Sequence, residues 1–228
     1  MFGETGDSRL RMTSSIAPSS IAPGARIILI RHGQPAIALR PRTGHRGFSD
    51  YIDAYEAAGL DPSSLPPQEL ADLVRELTHV FTSGRPRAHQ SAQALAPKAE
   101  LIADPLFAEA PLPSPPVPLL KMRVPKWAVV ARILWHAGYT PQIENFAEAR
   151  KRAARAADIL IAKVSGGGPV AQERSRERPE KIPGPPSVAL VAHGYFNAMI
   201  GRELRMRGFR RTGAHRVHYW NAVIYEWT

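Results

Sequence analysis

The sequence contains no cysteine, which removes disulfides, thiolate nucleophiles and cysteine-ligated zinc together. Any nucleophile must therefore be of another kind. No apolar run reaches the length of a membrane-spanning helix, so a soluble globular protein without a transmembrane segment is the expectation. Internal repeats are absent, and so is any nucleic-acid-binding module or stacking aromatic motif beside the basic stretches. Met1 to Gly24 has no apolar core of the kind a secretory signal needs. It reads as a disordered leader, and a cytoplasmic location is expected.

What is present is length, apolar content and positive charge. At 228 residues with 44% hydrophobic content, the chain suits one domain, expected over residues 25–228. The formal net charge of +10 suits nucleic acid, an anionic membrane surface or a phosphorylated molecule. Its distribution over Arg40 to Arg46, Arg150 to Arg155 and Arg202 to Arg216 favours a diffuse solvated surface, so no nucleic-acid partner is expected.

Order is expected from Arg26, because Ile27-Ile28-Leu29-Ile30 is a β-branched run suited to a strand buried on both faces. Leu70, Leu73, Val74 and Leu77 follow helical spacing after Pro66-Pro67, and a strand around Val80-Phe81-Thr82 comes next. A helix from about Pro86 and an extended segment at Ala99 to Ile102 continue the alternation. From Ile143 to Val164 a long helix places Phe146, Ala149, Ala153, Ala157, Leu160 and Val164 on one stripe. Residues 165–186, with Gly166-Gly167-Gly168 and several prolines, read as a flexible surface insertion. Then follow a strand at Val188 to Ala192, a helix from about Tyr195 to Met206 and a terminal extended pair ending in Val223-Ile224-Tyr225. The expected fold is an α/β three-layer sandwich with a mostly parallel central sheet flanked by helices. Trp127 to Ala137 is apolar almost all round; a lid, a core helix and a membrane-contacting helix all fit it.

The chemistry concentrates at two strand ends. Ile27 to Ile30 runs into Arg31-His32-Gly33, and Val188 to Ala192 runs into His193-Gly194. In an open α/β sheet the carboxyl ends of strands are where ligands bind. A glycine after each histidine lets the backbone turn and approach a ligand, while the following helix can aim its amides at an anion. His45, His79, His89, His136, His215 and His218 have no such context.

Here the sequence resembles the histidine phosphatase superfamily, whose members include phosphoglycerate mutases and phosphomonoesterases. Arg31-His32-Gly33 matches the opening signature, and Thr82-Ser83-Gly84-Arg85-Pro86-Arg87-Ala88 the second. Leu106-Phe107-Ala108-Glu109 is similar to the stretch with the proton donor, and Val191-Ala192-His193-Gly194 to the second catalytic histidine. Glu144-Asn145 with Arg152 resembles a further Glu-Ser motif and its later arginine. The resemblance implies a phosphoglycerate mutase-like fold and hydrolysis of a phosphomonoester through phosphohistidine, without metal or cofactor. His32 would be the nucleophile, Glu109 the proton donor, Arg31 and Arg87 the phosphate clamp, and protonated His193 a further donor. Gly33, Gln34, Glu144 and Gly194 are secondary candidates. Glu144 equally suits a helix-capping charge, and Arg152 a solvated charge or structural ion-pair partner.

The departures are informative. After Arg-His-Gly many relatives carry Glu or Gln, Thr and an Asn that contacts phosphate, whereas this chain reads Gln34-Pro35-Ala36-Ile37. The Asn contact is missing or replaced. Phe48 to Leu60 stands where relatives have a glycine-rich stretch, and Ala110-Pro111-Leu112-Pro113 follows Glu109. These differences argue against a glycolytic mutase and leave the substrate open between a phosphorylated small molecule and a phosphoprotein. A phosphotransferase of mutase type, and a phosphate- or partner-binding protein without turnover, are the rival readings. The sequence leaves the oligomeric state open.

Overall fold

The computed structural model describes residues 21–38, 42–166 and 185–228. Most of the expected leader and the interior of the 165–186 insertion lie outside them.

The centre is strand β1 (Arg26–Arg31), whose residues alternate between two buried faces. Ile27 and Leu29 join one core, and Ile28 and Ile30 another. That period-2 division explains the unbroken apolar run, since a strand covered on both sides has no solvent face to make polar. The other strands are β2 (His79–Thr82), β3 (Glu100–Ala103), β4 (Ser187–Ala192), β5 (Arg210–Thr212) and β6 (Ala222–Glu226). They form one sheet in the order β3-β2-β4-β1-β6-β5. Pairings β3–β2, β2–β4 and β4–β1 are parallel, while β6 pairs antiparallel with both β1 and β5. The expected terminal pair is thus an antiparallel extension of a parallel sheet.

Six α-helices among the described residues accompany the sheet: α1 (His45–Ala57), α2 (Gln68–Val74), α3 (Pro86–Leu95), α4 (Val124–His136), α5 (Phe146–Val164) and α6 (Gly194–Met206). Helices α5 and α6 cover one face through Ala149, Ala153, Ala157, Leu160, Phe196 and Ile200. On the opposite face, α2 and α3 bring Leu70, Val74, Ala92 and Leu95. This is the expected sandwich of helices, sheet and helices.

Several boundaries differ from the sequence reading. Order reaches back before residue 24, because Ile21 and Ala25 are buried in the main core and the Gly24 amide bonds the Trp227 carbonyl at 2.8 Å. Helix α2 ends at Val74, leaving Leu77 in the turn beyond it and Leu73 exposed. Helix α5 starts at Phe146 rather than Ile143, because Asn145 caps it: its side chain accepts from the Glu148 amide, and Glu148 returns the bond to the Asn145 amide. The cap is therefore Asn145, not Glu144.

Helix α1 was not anticipated. Its stripe of Phe48, Tyr51, Ile52 and Tyr55 sits at helical spacing and packs on α4 in a third core with Val124, Trp127 and Ala131. Phe48 and Trp127 stack at 5.7 Å between centroids. Helix α4 buries the stripe Val124, Trp127, Ala131 and Trp135, while Val129 and Ile133 on its other side are exposed. It is a covering helix that links this third core to the main one through Trp135. No helix among the described residues is long and apolar enough to cross a membrane.

Candidate active site

Strands β2, β4 and β1 are adjacent and parallel, so their carboxyl ends meet along one edge of the sheet. Ser83, His193 and His32 are the residues that follow those ends. The register pairs Arg31 with Ala192, and the His32 amide bonds the Ala192 carbonyl at 2.9 Å. Backbone pairing therefore sets the two histidines side by side, with ring centroids 5.2 Å apart.

The hydrogen bonds of His32 define its tautomer. Nδ1 lies 2.6 Å from the Gly33 carbonyl, which can only accept, so Nδ1 carries the proton. Nε2 keeps its lone pair and accepts from Arg87 Nε at 3.3 Å. Burial lowers the His32 pKa from 6.5 to about 3, with the charges of Arg87 and Arg31 acting in the same direction. The ring is neutral throughout the physiological range. Gly33 is required by contact: a Cβ there would overlap Trp220 and Leu60. Its amide donates to Ser91 Oγ at 2.9 Å.

His193 caps α6 and is buried. Its Nδ1 accepts from Arg87 Nη2 at 3.3 Å, which leaves Nε2 to donate to Ser83 Oγ at 2.8 Å. Burial first, then neighbouring His32 and arginines, hold its pKa well below 6.5. The imidazole is therefore neutral near pH 7. A Cβ on Gly194 would lie 3.2 Å from Arg31 Cδ, so glycine lets the helix start pack against that side chain.

Arg87 is fully buried at the start of α3 and its side chain reaches across to α1. Nη1 donates to the carbonyls of Tyr55 (2.7 Å) and Glu56 (3.3 Å), and Nη2 to Glu56 Oε1 (2.9 Å). The other Glu56 oxygen takes Arg85 Nε at 2.9 Å. Arg31 donates to the Val217 carbonyl and stacks over the Tyr219 ring at 4.7 Å, while its Nε is buried without a hydrogen-bond partner among the described residues.

Glu109 lies after the 3-10 turn at Pro105–Phe107. Its Oε1 accepts from the amides of Ala110 and Phe196, both at 2.9 Å, and Oε2 from Tyr195 at 3.3 Å. The carboxyl thus faces the first turn of α6, immediately beyond His193. Burial pushes its pKa up, against the pull of Arg132 and the three amides. Two arginines fix the loop around it. Arg152 donates to the carbonyls of Leu106 and Ala108, each at 2.8 Å, and Arg132 to those of Ala110 and Pro111.

The secondary candidates separate. Glu144 pairs with Arg152 through both oxygens at 2.7 Å, so its carboxylate serves the arginine that holds the Glu109 loop. Gln34 has an exposed side chain, and its backbone bonds the 61–64 turn through Asp61 and Ser64.

The sequence matches the family model of the histidine phosphatase superfamily (branch 1) over residues 27–228. The chain belongs to the histidine phosphatase superfamily. Phosphoglycerate mutase from Bacillus anthracis str. Sterne matches with a TM-score of 0.53 at 12% identity, over 91% of each chain. That likeness shows a phosphoglycerate mutase-like fold. Mycobacterial glucosyl-3-phosphoglycerate phosphatase matches with a TM-score of 0.46 at 19% identity over 78% of each chain. Ecdysone phosphate phosphatase from Bombix mori, solved with tungstate, gives 0.46 at 15% identity over 88% of each. No curated protein sequence matches the chain.

In this histidine phosphatase superfamily chain, the residues that sequence reasoning missed come from outside the motifs. Tyr55 and Glu56 arrive from α1, Arg132 from α4, and Tyr219 from the turn before β6. The aromatic stripe of α1 was the available signal for Tyr55. Nothing in the sequence marks Glu56 as a partner of Arg87, since that contact spans a gap bridged only by tertiary packing.

Proposed function

We propose that the protein hydrolyses a phosphomonoester through a phosphohistidine on His32, with Glu109 as proton donor and no metal or cofactor. The observation that carries this reading is the state of His32. A neutral imidazole with Nδ1–H tied to Gly33 keeps its lone pair on Nε2, engaged through a long 3.3 Å bond from Arg87 Nε that an incoming phosphoryl group can displace, with His193 and the charge of Arg31 alongside.

In the first step Nε2 attacks phosphorus, the N–P bond forms, and the ester P–O bond breaks in line with it. Glu109 gives its proton to the departing oxygen; a carboxyl raised by burial holds that proton closer to neutral pH than an exposed one. Oε2 is suited to carry the proton, because it receives one long amide bond where Oε1 receives two short ones. In the second step water attacks the phosphohistidine, Glu109 takes the water proton, and the N–P bond breaks to release phosphate. Arg31 and Arg87 offset the phosphoryl charge throughout. An arriving phosphate dianion favours the protonated form of His193, which would then donate to it.

The test is a screen of phosphomonoesters, sugar phosphates and phosphopeptides with the wild type and His32→Ala. Hydrolysis by the wild type and none by the variant is expected. Equal turnover by both would sink the phosphohistidine route, and isomerisation dependent on a bisphosphate primer would establish the mutase reading instead.

A further inference from the structure

The donors around His32 are unevenly committed. An arginine has five N–H donors, and Arg87 uses each of them within the protein: Nε on His32, Nη1 on the carbonyls of Tyr55 and Glu56, and Nη2 on Glu56 and His193. The Gly33 and Gln34 amides are likewise occupied by Ser91 and Ser64. His193 spends its N–H on Ser83. Other donors near the nucleophile are less committed. Arg31 Nε is buried and without a hydrogen-bond partner among the described residues. The Tyr55 hydroxyl lies 3.5 Å from His32 Nε2, at the limit of hydrogen-bonding distance.

Tyr55 is also placed with care. Its ring lies under the Arg87 guanidinium at 4.3 Å, and its carbonyl receives Arg87 Nη1. The hydroxyl therefore faces the space before Nε2 of His32, 3.5 Å away. That space is where a phosphoryl group must sit to be attacked in line.

We propose that the Tyr55 hydroxyl is a ligand of the transferring phosphoryl group, donating to a non-bridging oxygen beside Arg31. It supplies from α1 the neutral donor that the segment after Arg31-His32-Gly33 lacks, since Gln34 is exposed and Pro35 and Ala36 have no side-chain donor. The same O–H lies 3.5 Å from His32 Nε2; with substrate bound it turns to the phosphoryl oxygen. Burial raises the Tyr55 pKa above 10.0, so the hydroxyl keeps its proton at physiological pH. The assignment rests on the phosphatase reading of this site.

The experiment compares the full-length wild type, Tyr55→Phe and Tyr55→Leu in calorimetric titrations with inorganic phosphate and orthovanadate, and in hydrolysis of p-nitrophenyl phosphate. Tyr55→Phe keeps the ring against Arg87 and the backbone carbonyl bond, so its circular dichroism and melting should match the wild type. It is expected to weaken both anions by roughly tenfold to a hundredfold, the loss of a hydrogen bond to a charged group, and to lower kcat/KM in parallel. Unchanged anion affinity in Tyr55→Phe would overturn the proposal, as would weakening seen only in Tyr55→Leu, which would assign the effect to the ring. Tighter binding by Tyr55→Phe would also overturn it, marking the hydroxyl as a plug. A wild type that binds neither anion would remove the phosphatase reading and this assignment together, whereas binding unaffected by the loss of the hydroxyl removes this assignment alone.

Discussion

His32 and His193 stand on neighbouring parallel strands whose register is locked by the backbone ladder, whereas Tyr55 and Glu56 reach the same place from the end of a helix that packs on α4. The first pair forms the floor of the site, and the second its cover. Floor geometry is a property of the sheet and persists as long as β1 and β4 pair. Cover geometry depends on a small satellite core built around Phe48 and Trp127. Arg87 couples the two, since it bonds both histidines and the last residues of α1. Placement of the two histidines and of the residues above them is thus supported by separate sets of contacts joined through one guanidinium.

The sharpest way to break this comparison is to empty the satellite core. Trp127 is fully buried and its Nε1 donates to the Thr43 carbonyl at 2.8 Å, so Trp127→Ala should cost about 3–5 kcal/mol. Hydrogen exchange should show α1 losing protection while β1 and β4 keep theirs. Equal loss in both regions would mean that floor and cover are one cooperative unit.

A smaller effect is expected at the loop that carries Glu109. Arg152 is held by Glu144 and stacks 3.8 Å from the Phe196 ring while fixing the carbonyls of Leu106 and Ala108. Removing it leaves Glu144 without its partner, and Arg152→Ala should destabilise the protein by about 2–3 kcal/mol. Denaturant unfolding measures this, and kcat should fall with little change in phosphate affinity, because Glu109 moves while Arg31 and Arg87 stay. Loss of phosphate affinity as the main effect would place Arg152 on the floor instead.

A third test sharpens the comparison through pH. Folded His32 titrates at about 3 against an ordinary value of 6.5, so between those values the unfolded chain binds a proton that the folded chain refuses. Stability therefore falls as pH falls through 6.5 toward 3. Buried His193 acts with the same sign, and so does His215, lowered to about 4 mainly by burial. Urea midpoints measured from pH 7 to pH 4 should decline, and His32→Asn should flatten the decline. An unchanged slope in the variant would show that His32 is not held neutral.

The floor was legible in the sequence for a physical reason. A strand buried on both faces leaves an unbroken apolar run, and a residue just past its end needs little more than a following glycine to reach a ligand. Both histidines carry that signature, and Arg87 sits on the helix that follows a third strand end. The cover was not legible. Its helix has one aromatic stripe, Phe48, Tyr51, Ile52 and Tyr55, in a segment without a side-chain cap at Gly44, and its role depends on Trp127, 79 positions after Phe48 in number alone. The neutral state of His193 was equally out of reach, because it arises from burial beside Arg87 and His32. Glu144 and Asn145 divide the tasks that adjacency in sequence had blurred: Asn145 caps α5 and Glu144 holds Arg152.

The central claim is that the phosphoryl group passes through Nε2 of His32, and trapping the intermediate tests it most directly. The enzyme would be mixed with a hydrolysed phosphomonoester labelled in phosphorus, quenched in alkali, digested and mapped. The predicted result is an alkali-stable, acid-labile phosphoryl group on the peptide containing Arg31-His32-Gly33, absent from His32→Ala. Turnover without such label, or label that persists in His32→Ala, would contradict the account.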